Sequence, residues 1–424
     1  MFDKLLIENW RQFSKLEIDF HPKLTVITGA NGSGKTTVLN VLSQCIGWQP
    51  KFVSSFDEDI DGVRRYAASI SKAKSDKDSL IIHKLTEQFN RPNVFGELTL
   101  IHGQVVGLFT QRPIAQTGLY TINMVPELKT RGVYIQSHRP TFPYRKMSNL
   151  PTSVATREHI YSKYNLFAKR YAMDEARFLI DGEPVSSTLL IKQDLASLAT
   201  FGYGNLAVAP IPSARILFEG YCKILKDVLP QDLGFKKITV ALPELIIETE
   251  TGNFPLDGVS GGISSIIDIT WQLFMFAEPE EPFVALIDEP ENHLHPELQK
   301  SFLGNLIKAF PHVQFIVATH NPFMVSSQKD SHVYVLDYKD GKVHSNLLDH
   351  INRAGTASAI LRDALGLDST IPLWAQDVLN STIEKYKGIS ISENTMNQLR
   401  ADLEHAGLQD YVPDTIANLI GGDQ

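Results

Sequence analysis

Residues 24–39, Leu-Thr-Val-Ile-Thr-Gly-Ala-Asn-Gly-Ser-Gly-Lys-Thr-Thr-Val-Leu, constrain what this chain can fold into more than any other stretch. The short apolar run from Leu24 to Thr28 reads as a buried strand. Gly29-x-x-x-x-Gly34-Lys35-Thr36 follows, and then a segment from Thr36 to Ile46 with apolar residues at helical spacing. Strand, glycine loop and helix in that order are the setting of a phosphate-binding loop. The glycines at 29, 32 and 34 let successive backbone N–H groups, those of Asn31 and Ser33 included, turn around phosphate oxygens. The helix N-terminus adds partial positive charge. Lys35 has the length to reach β- and γ-phosphates, the Thr36 hydroxyl suits a Mg²⁺ ligand, and Thr37 continues the cradle. A glycine-rich turn by itself binds nothing; the strand and helix around it make this stretch a nucleotide site, with ATP and Mg²⁺ as the expected ligands.

A second constellation lies about 250 residues further on. Phe283-Val-Ala-Leu-Ile287 is an apolar run of buried-strand type that ends in Asp288-Glu289. Hydrolysis of a nucleoside triphosphate needs one acid near the metal and another to take a proton from attacking water. Asp288 fits the first role and Glu289 the second. Val259-Ser260-Gly261-Gly262 precedes a helix-like segment, and a Ser hydroxyl with Gly amides at a helix start makes another anion-holding nest. One chain does not need two γ-phosphate cradles. Two chains facing each other would use both, each loop closing the partner's site. The next apolar strand, Val313–Ala318, runs into Thr319-His320-Asn321, where His320 can hydrogen-bond a γ-phosphate or hold the attacking water. His293 and His295 have no third ligand beside them and read as an inter-subunit contact or plain surface rather than a metal site.

Between and around these motifs the chain reads as α/β. Leu5–Glu8 and Leu16–Phe20 are strand candidates, the second with one face solvated, as in antiparallel pairing. Residues 48–92 are polar and punctuated, a surface insertion. Val94–Ile135 carries several β-like runs, residues 154–230 switch to helical periodicity, and Phe235–Val240 and Leu245–Thr249 return to strands. A hairpin, Val333–Asp337 with Val343–Leu347, precedes a helical end. The expected division is 1–150, the N-terminal half of an ATPase head with an antiparallel β subdomain; 151–232, a helical lobe; 233–350, the C-terminal half; and 351–424, a short helical region.

Composition excludes several classes. With 424 residues, 43% apolar and 21% charged, the chain is globular with room for two or three domains. A net charge of −8 leaves nucleic-acid binding to a local patch. One such patch spans residues 138–171, where Arg139, Arg145, Lys146, Arg157, Lys163, Lys169 and Arg170 interleave with Tyr144, Tyr161, Tyr164, Phe167 and Tyr171. That mixture suits phosphates and stacked bases; it equally describes a helix with an apolar core face and a solvated basic face. No uncharged apolar run reaches the roughly 18 residues of a membrane span, the start is charged and strand-like, and Cys45 and Cys222 are too far apart to suggest a metal site. A cytoplasmic protein with reduced thiols is expected.

The order of phosphate loop, Ser-Gly-Gly, Asp288-Glu289, Leu294-His295-Pro296 and Thr319-His320 resembles the ABC-type ATPase heads. Within them it is similar to the Rad50, RecF and overcoming-lysogeny-defect branch, with the "AAA-21" ATPases of bacterial defence operons such as Septu- and PARIS-like systems. Ile7-Glu8-Asn9-Trp10-Arg11 and Phe20-His21-Pro22 support that branch. The resemblance implies a head that forms a homodimer or higher oligomer on ATP, with Ser260, Gly261 and Gly262 acting on the partner's nucleotide. It implies Arg11 near the nucleotide and a glutamine at the metal and γ-phosphate, for which Gln136 is the candidate and Gln104 the rival. The chain departs from transporters in having Val259 and Ile263 around the signature. It lacks the heptads of a long coiled coil, and the residues after the hairpin are too few for a nuclease domain, so a nuclease or toxin effector is expected on a separate polypeptide. The resemblance implies the sensor or regulatory ATPase of an anti-phage or DNA-processing complex. A slowly hydrolysing scaffold that sequesters an effector, and a transporter ATPase, remain as other readings.

Overall fold

A computed structural model describes residues 1–58, 64–67, 93–110, 118–139, 142–172, 179–180, 183–184, 186–348, 373–386 and 393–408. Most of the insertion read between residues 48 and 92 lies outside the described residues. The chain divides into two compact units, Met1–Ile360 with Ala364–Gly366, and Leu361–Asp363 with Leu367–Gln424.

The larger unit is built on one sheet of eleven strands. The strands in chain order are β1 (Phe2–Trp10), β2 (Phe13–Asp19), β3 (Leu24–Gly29), β4 (Asn93–Leu100), β5 (Val105–Thr110), β6 (Ile122–Val125) and β7 (Gly132–Ile135). A separate three-stranded sheet follows, β8 (Phe235–Ala241), β9 (Glu244–Thr249) and β10 (Asn253–Pro255). The large sheet is completed by β11 (Phe283–Asp288), β12 (Val313–Ala318), β13 (His332–Lys339) and β14 (Lys342–Leu347). Its spatial order is β6-β5-β4-β1-β2-β14-β13-β3-β12-β11-β7.

From β13 to β7 every pairing is parallel, and from β6 to β2 every pairing is antiparallel. The antiparallel strands therefore join the nucleotide core edge to edge, through the short pairing Phe13↔Val343 and Lys15↔His344 between β2 and β14. The last of the β-like runs before residue 135 belongs elsewhere than its neighbours in sequence. Strand β7 lies parallel to β11 on the far side of the core, with Ile135 opposite Ile287.

The central strands are continuous apolar runs because both faces are covered, as expected of parallel strands. Alternate side chains feed two cores. Val26, Ala285, Ile287, Phe315 and Val317 face one with the helical lobe. Ile27, Val284, Leu286, Ile316 and Ala318 face the other, shared with helix α1 (Lys35–Ser43) and with Leu5, Ile7 and Leu98 of the antiparallel half. The lobe consists of α2 (Arg157–Ala172), α3 (Ser187–Tyr203) and α4 (Pro212–Val228). It packs on α5 (Gly261–Phe276), a helix with fourteen of its sixteen residues buried, as its sustained hydrophobicity requires. Helix α6 (Pro296–Ala309) adds Phe302, Leu303 and Leu306 to the same core. Cys45 and Cys222 are free, and burial pushes their thiols up to about 12 and about 11.

The smaller unit pairs α7 (Leu373–Tyr386) with α8 (Glu393–His405) through Ala375, Leu379, Leu399 and Leu403. Asp402 accepts from both Lys385 Nζ at 2.5 Å and the Tyr386 hydroxyl at 2.8 Å. Among the described residues, no helix is long and apolar enough to cross a membrane.

Candidate nucleotide site

The phosphate loop links the end of β3 to the start of α1, and its conformation explains its glycines. Gly29, Gly32 and Gly34 have φ of 138°, 81° and 100°, a region side chains disfavour. At Gly34 there is also no room: a Cβ would overlap the Phe13 ring and the Gln12 amide. Asn31, Gly32 and Thr36 are exposed, Thr37 is half-buried, and Ser33 is buried. Lys35 Nζ is held inside the loop by the carbonyls of Gly29 at 2.8 Å and Ala30 at 3.0 Å. Burial lowers its pKa, opposed by the carboxylates of Glu289, Asp288 and Glu291. Tyr338, from the β13–β14 hairpin, donates its hydroxyl to Gly32 O at 3.0 Å and braces the loop from the side.

Strand β11 brings the acids to this loop. Thr36 Oγ1 donates to Asp288 Oδ2 at 2.9 Å across 252 residues of sequence. Asp288 is buried, and desolvation raises its pKa to about 6, with the Thr36 hydrogen bond opposing the shift. Its other oxygen, Oδ1, is buried without a hydrogen-bond partner. A hydroxyl beside a carboxylate with an unsatisfied oxygen fits a Mg²⁺ ion, which keeps waters and phosphate oxygens for its other positions. Among the described residues, no group of three or more His, Cys, Asp or Glu could hold a metal.

Glu289 leaves the strand with φ of 46°. For a non-glycine residue this strain costs on the order of 1–3 kcal/mol and persists only where its surroundings over-determine it. Here the Glu289 N–H donates to Ala318 O at 2.8 Å, and its carboxylate accepts from Asn292 Nδ2 at 3.1 Å. His320 Nδ1 stands 3.3 Å from Glu289 Oε1 and 3.7 Å from Glu291 Oε1. Glu291 is buried, its pKa raised by desolvation; Oε1 accepts from Thr319 Oγ1 at 2.5 Å and from the His320 N–H at 3.3 Å. Glu291 thus fixes the backbone that carries His320.

Ser260 caps α5, its Oγ accepting from Ile263 N at 3.4 Å, and Ser260 and Gly261 are exposed. Gly262 is buried against the turn after β11, where a Cβ would come 2.8 Å from His293 O. Asp257, three residues ahead of the cap, is tied down by the fully buried Lys192 of α3, whose Nζ is 3.0 Å away. Lys192 also pairs with Glu244, so the lobe, the small sheet and the signature loop meet at one ammonium. His295 caps α6 and His293 adopts φ of 71° beside the signature glycines.

These placements bear on three expectations. Arg11 Nη1 bonds to Val53 O at 3.3 Å, and the guanidinium lies over the Trp10 and Phe52 rings; the side chain against the phosphate loop is its neighbour Gln12. Gln136 follows β7 at the end nearest Asp288, whereas Gln104 lies at the turn between β4 and β5. The basic stretch 138–171 is not one exposed face. Arg157 donates to Ala277 O and covers Phe274, Lys163 pairs with Asp194 at 2.6 Å, and Lys169 donates to Gly47 O over the Trp48 ring. Tyr164 and Phe167 are core residues, so the aromatic spacing is that of a packed helix. The remaining cation of interest, Arg139, is half-buried at the acid cluster, a position its charge-patch reading missed. Its place just beyond an apolar β run, Gly132–Ile135, is the signal that could have revealed it.

A P-loop sheet with this acid cluster at the carboxyl ends of its strands is the arrangement of a P-loop nucleotide site. Sequence comparison finds AAA-domain family models and probable ATPases among what the chain resembles. An AAA-domain family model matches residues 4–104, and a second, described as "AAA domain, putative AbiEii toxin, Type IV TA system", matches residues 161–326. Septu protein PtuA of Bacillus thuringiensis is 27% identical over 34% of this chain and 40% of its own length. "Retron Ec83 probable ATPase" of Escherichia coli is 27% identical over 96% of this chain and 83% of that protein. "Retron Vc95 probable ATPase" of Vibrio cholerae is 30% identical over 25% of this chain and 20% of that protein. The chain thus spans well under two thirds of PtuA and of the Vibrio relative. Among solved structures, an SMC head domain from Thermotoga maritima aligns with 82% of this chain and 99% of its own, at 14% identity and a TM-score of 0.40.

Proposed function

We propose that this protein is the regulatory ATPase of a cytoplasmic anti-phage defence complex, in which two heads close on Mg²⁺-bound ATP and hydrolysis controls a separate effector. The observation that carries the reading is the Thr36–Asp288 contact at 2.9 Å, with Glu289 and His320 facing each other beside it. Lys35 and the loop amides hold the phosphates. When bound, Mg²⁺ offsets charge on the β- and γ-phosphate oxygens; Thr36 and Asp288 are the residues that would hold it, with Gln136 next to them. Glu289 accepts the proton of the attacking water as its oxygen bonds to the γ-phosphorus and the bond to the β-phosphate oxygen breaks. His320 steadies the γ-phosphate and that water. The cap at the start of α5, with Ser260 and Gly261 exposed, supports its use by a second head.

Glu289→Gln tests this directly. The variant is expected to bind ATP, to lose at least about 99% of turnover, and to accumulate dimers on size exclusion with ATP and Mg²⁺. Lys35→Ala should lose nucleotide binding, dimer formation and phage protection together. Wild-type turnover in Glu289→Gln, or protection by Lys35→Ala, would sink the proposal.

A further inference from the structure

In the stretch 138–171 the guanidinium of Arg139 is drawn into the acid cluster, and its bonds are unusual in kind. Nη1 donates to Asp288 O at 3.2 Å and to Gln136 O at 2.9 Å, Nη2 donates to Glu289 O at 3.0 Å, and Nε donates to Ser265 Oγ at 3.2 Å. Three of the four acceptors are backbone carbonyls. Among the described residues no carboxylate forms an ion pair with it, although those of Asp268, Glu291, Asp288 and Glu289 surround it and support its charge against burial.

The two carbonyls of Asp288 and Glu289 belong to the peptide planes on either side of the Glu289 Cα, the residue held at φ of 46°. With the Glu289 N–H bound to Ala318 O, both peptide groups of the strained residue are fixed, one from each side. A planar fork is suited to this because its donors diverge at set angles, which a flexible ammonium cannot reproduce. The fourth bond ties the same guanidinium to Ser265, on the first turn of α5 beyond the signature glycines.

We infer that Arg139 is a positioning residue for hydrolysis: its guanidinium locks the peptide planes around Glu289 so that the carboxylate points at the attacking water, and registers them against the signature helix. The inference rests on the reading of Glu289 as the proton acceptor. It adds that the strained backbone is held by a side chain about 150 residues away, from the segment that also carries Gln136. Asp288 is oriented from the same point, so the metal-side acid and the water-side acid share one brace. None of the four bonds of Arg139 itself reaches the phosphate loop, which predicts an effect on turnover separate from nucleotide affinity.

Arg139→Lys keeps the charge and removes the fork. Steady-state ATPase kinetics and binding of a fluorescent ATP analogue should show kcat down about 10- to 100-fold, with KM and affinity within about twofold, because small misplacements of a reacting group cost that much. Ser265→Ala removes the helix-side anchor alone and should lower kcat about threefold at unchanged KM, with no further loss when added to Arg139→Lys, since coupled residues are not additive. A kcat for Arg139→Lys within twofold of wild type, a matching rise in KM, or independent multiplication of the two effects would overturn the inference. If Arg139→Lys does not fold, Ser265→Ala decides alone, an unchanged kcat being the negative result. Turnover retained in Glu289→Gln would instead remove the reading beneath it, whereas Glu289→Gln inactive beside a fully active Arg139→Lys would remove this inference only.

Discussion

At the scale of single residues, the site's chemistry depends on carboxylates whose surroundings differ. Asp288 and Glu291 are both buried and both pushed toward the neutral form, and each has one oxygen without a partner. A third buried carboxylate, Asp268 of α5, lies behind them. Its oxygens accept from the Tyr164 hydroxyl and, at 2.9 Å, from Gln272 Nε2, and desolvation raises its pKa despite these bonds. The folded chain therefore holds the Asp268 proton more tightly than the unfolded chain. The stability that this group contributes is fully present below the ordinary carboxylate pKa and is lost as pH rises through the raised value. Asp268→Asn keeps the shape and carries no charge to desolvate. Its melting temperature relative to wild type should rise as pH is raised from the ordinary carboxylate range through the raised value, by about 1–2 °C per kcal/mol of relieved penalty for a unit of this size. A difference that stays constant across that range would show that Arg139 fully offsets the buried charge.

At the scale of elements, the groups proposed to act in hydrolysis stand where strands give way to turns and helices, and two such junctions meet at Gly262. Helix α5 begins against the turn after β11, and a Cβ on Gly262 would come within 2.8 Å of the His293 carbonyl. Gly262→Ala should push the cap and the turn apart. Overpacking of this kind costs about 1–3 kcal/mol, enough for roughly a tenfold or greater loss of turnover, while binding of nucleotide to the phosphate loop stays near wild type. Equal loss of binding would mean that the damage reaches β3. These junctions were legible in the sequence because each is local: an apolar run, a glycine or acid pair, then helical spacing. The strands from Leu24, Phe283 and Val313 and the helix after Ser260 could be read within a residue or two for that reason. Strand β7 could not be assigned to the parallel half, because four residues carry no sign of which neighbour they pair with. Arg139 and Lys192 were missed for a related cause. Their roles are set by acceptors brought near only by the finished fold, and many of those are backbone carbonyls, which no residue type advertises. The aromatic and basic stretch around α2 misled in the opposite direction, since a packed amphipathic helix and a stacking surface share one composition.

At the scale of the whole molecule, the two halves of the chemistry occupy different parts of one head. The phosphate loop, Asp288, Glu289 and His320 cluster at the ends of β3, β11 and β12, whereas the Ser260 cap is exposed at the start of α5. If the cap completes the site of a second head related by twofold symmetry, defects in the two halves should complement. Ser260→Arg obstructs the loop that a subunit lends, and Glu289→Gln removes the proton acceptor that it keeps. Each variant alone should be inactive. In a mixed dimer, one site combines both defects, but the other pairs an intact Glu289 with an intact Ser260. Random pairing at equal concentrations makes about half of the dimers mixed, each with one working site, so turnover should recover to about one quarter of wild type. It should scale with the product of the two concentrations and disappear under EDTA. A loop that serves its own subunit allows no such rescue, because every subunit in the mixture then carries a defect in its own site. Restored ATPase on mixing therefore separates a shared site from a self-contained one without any structure of the dimer.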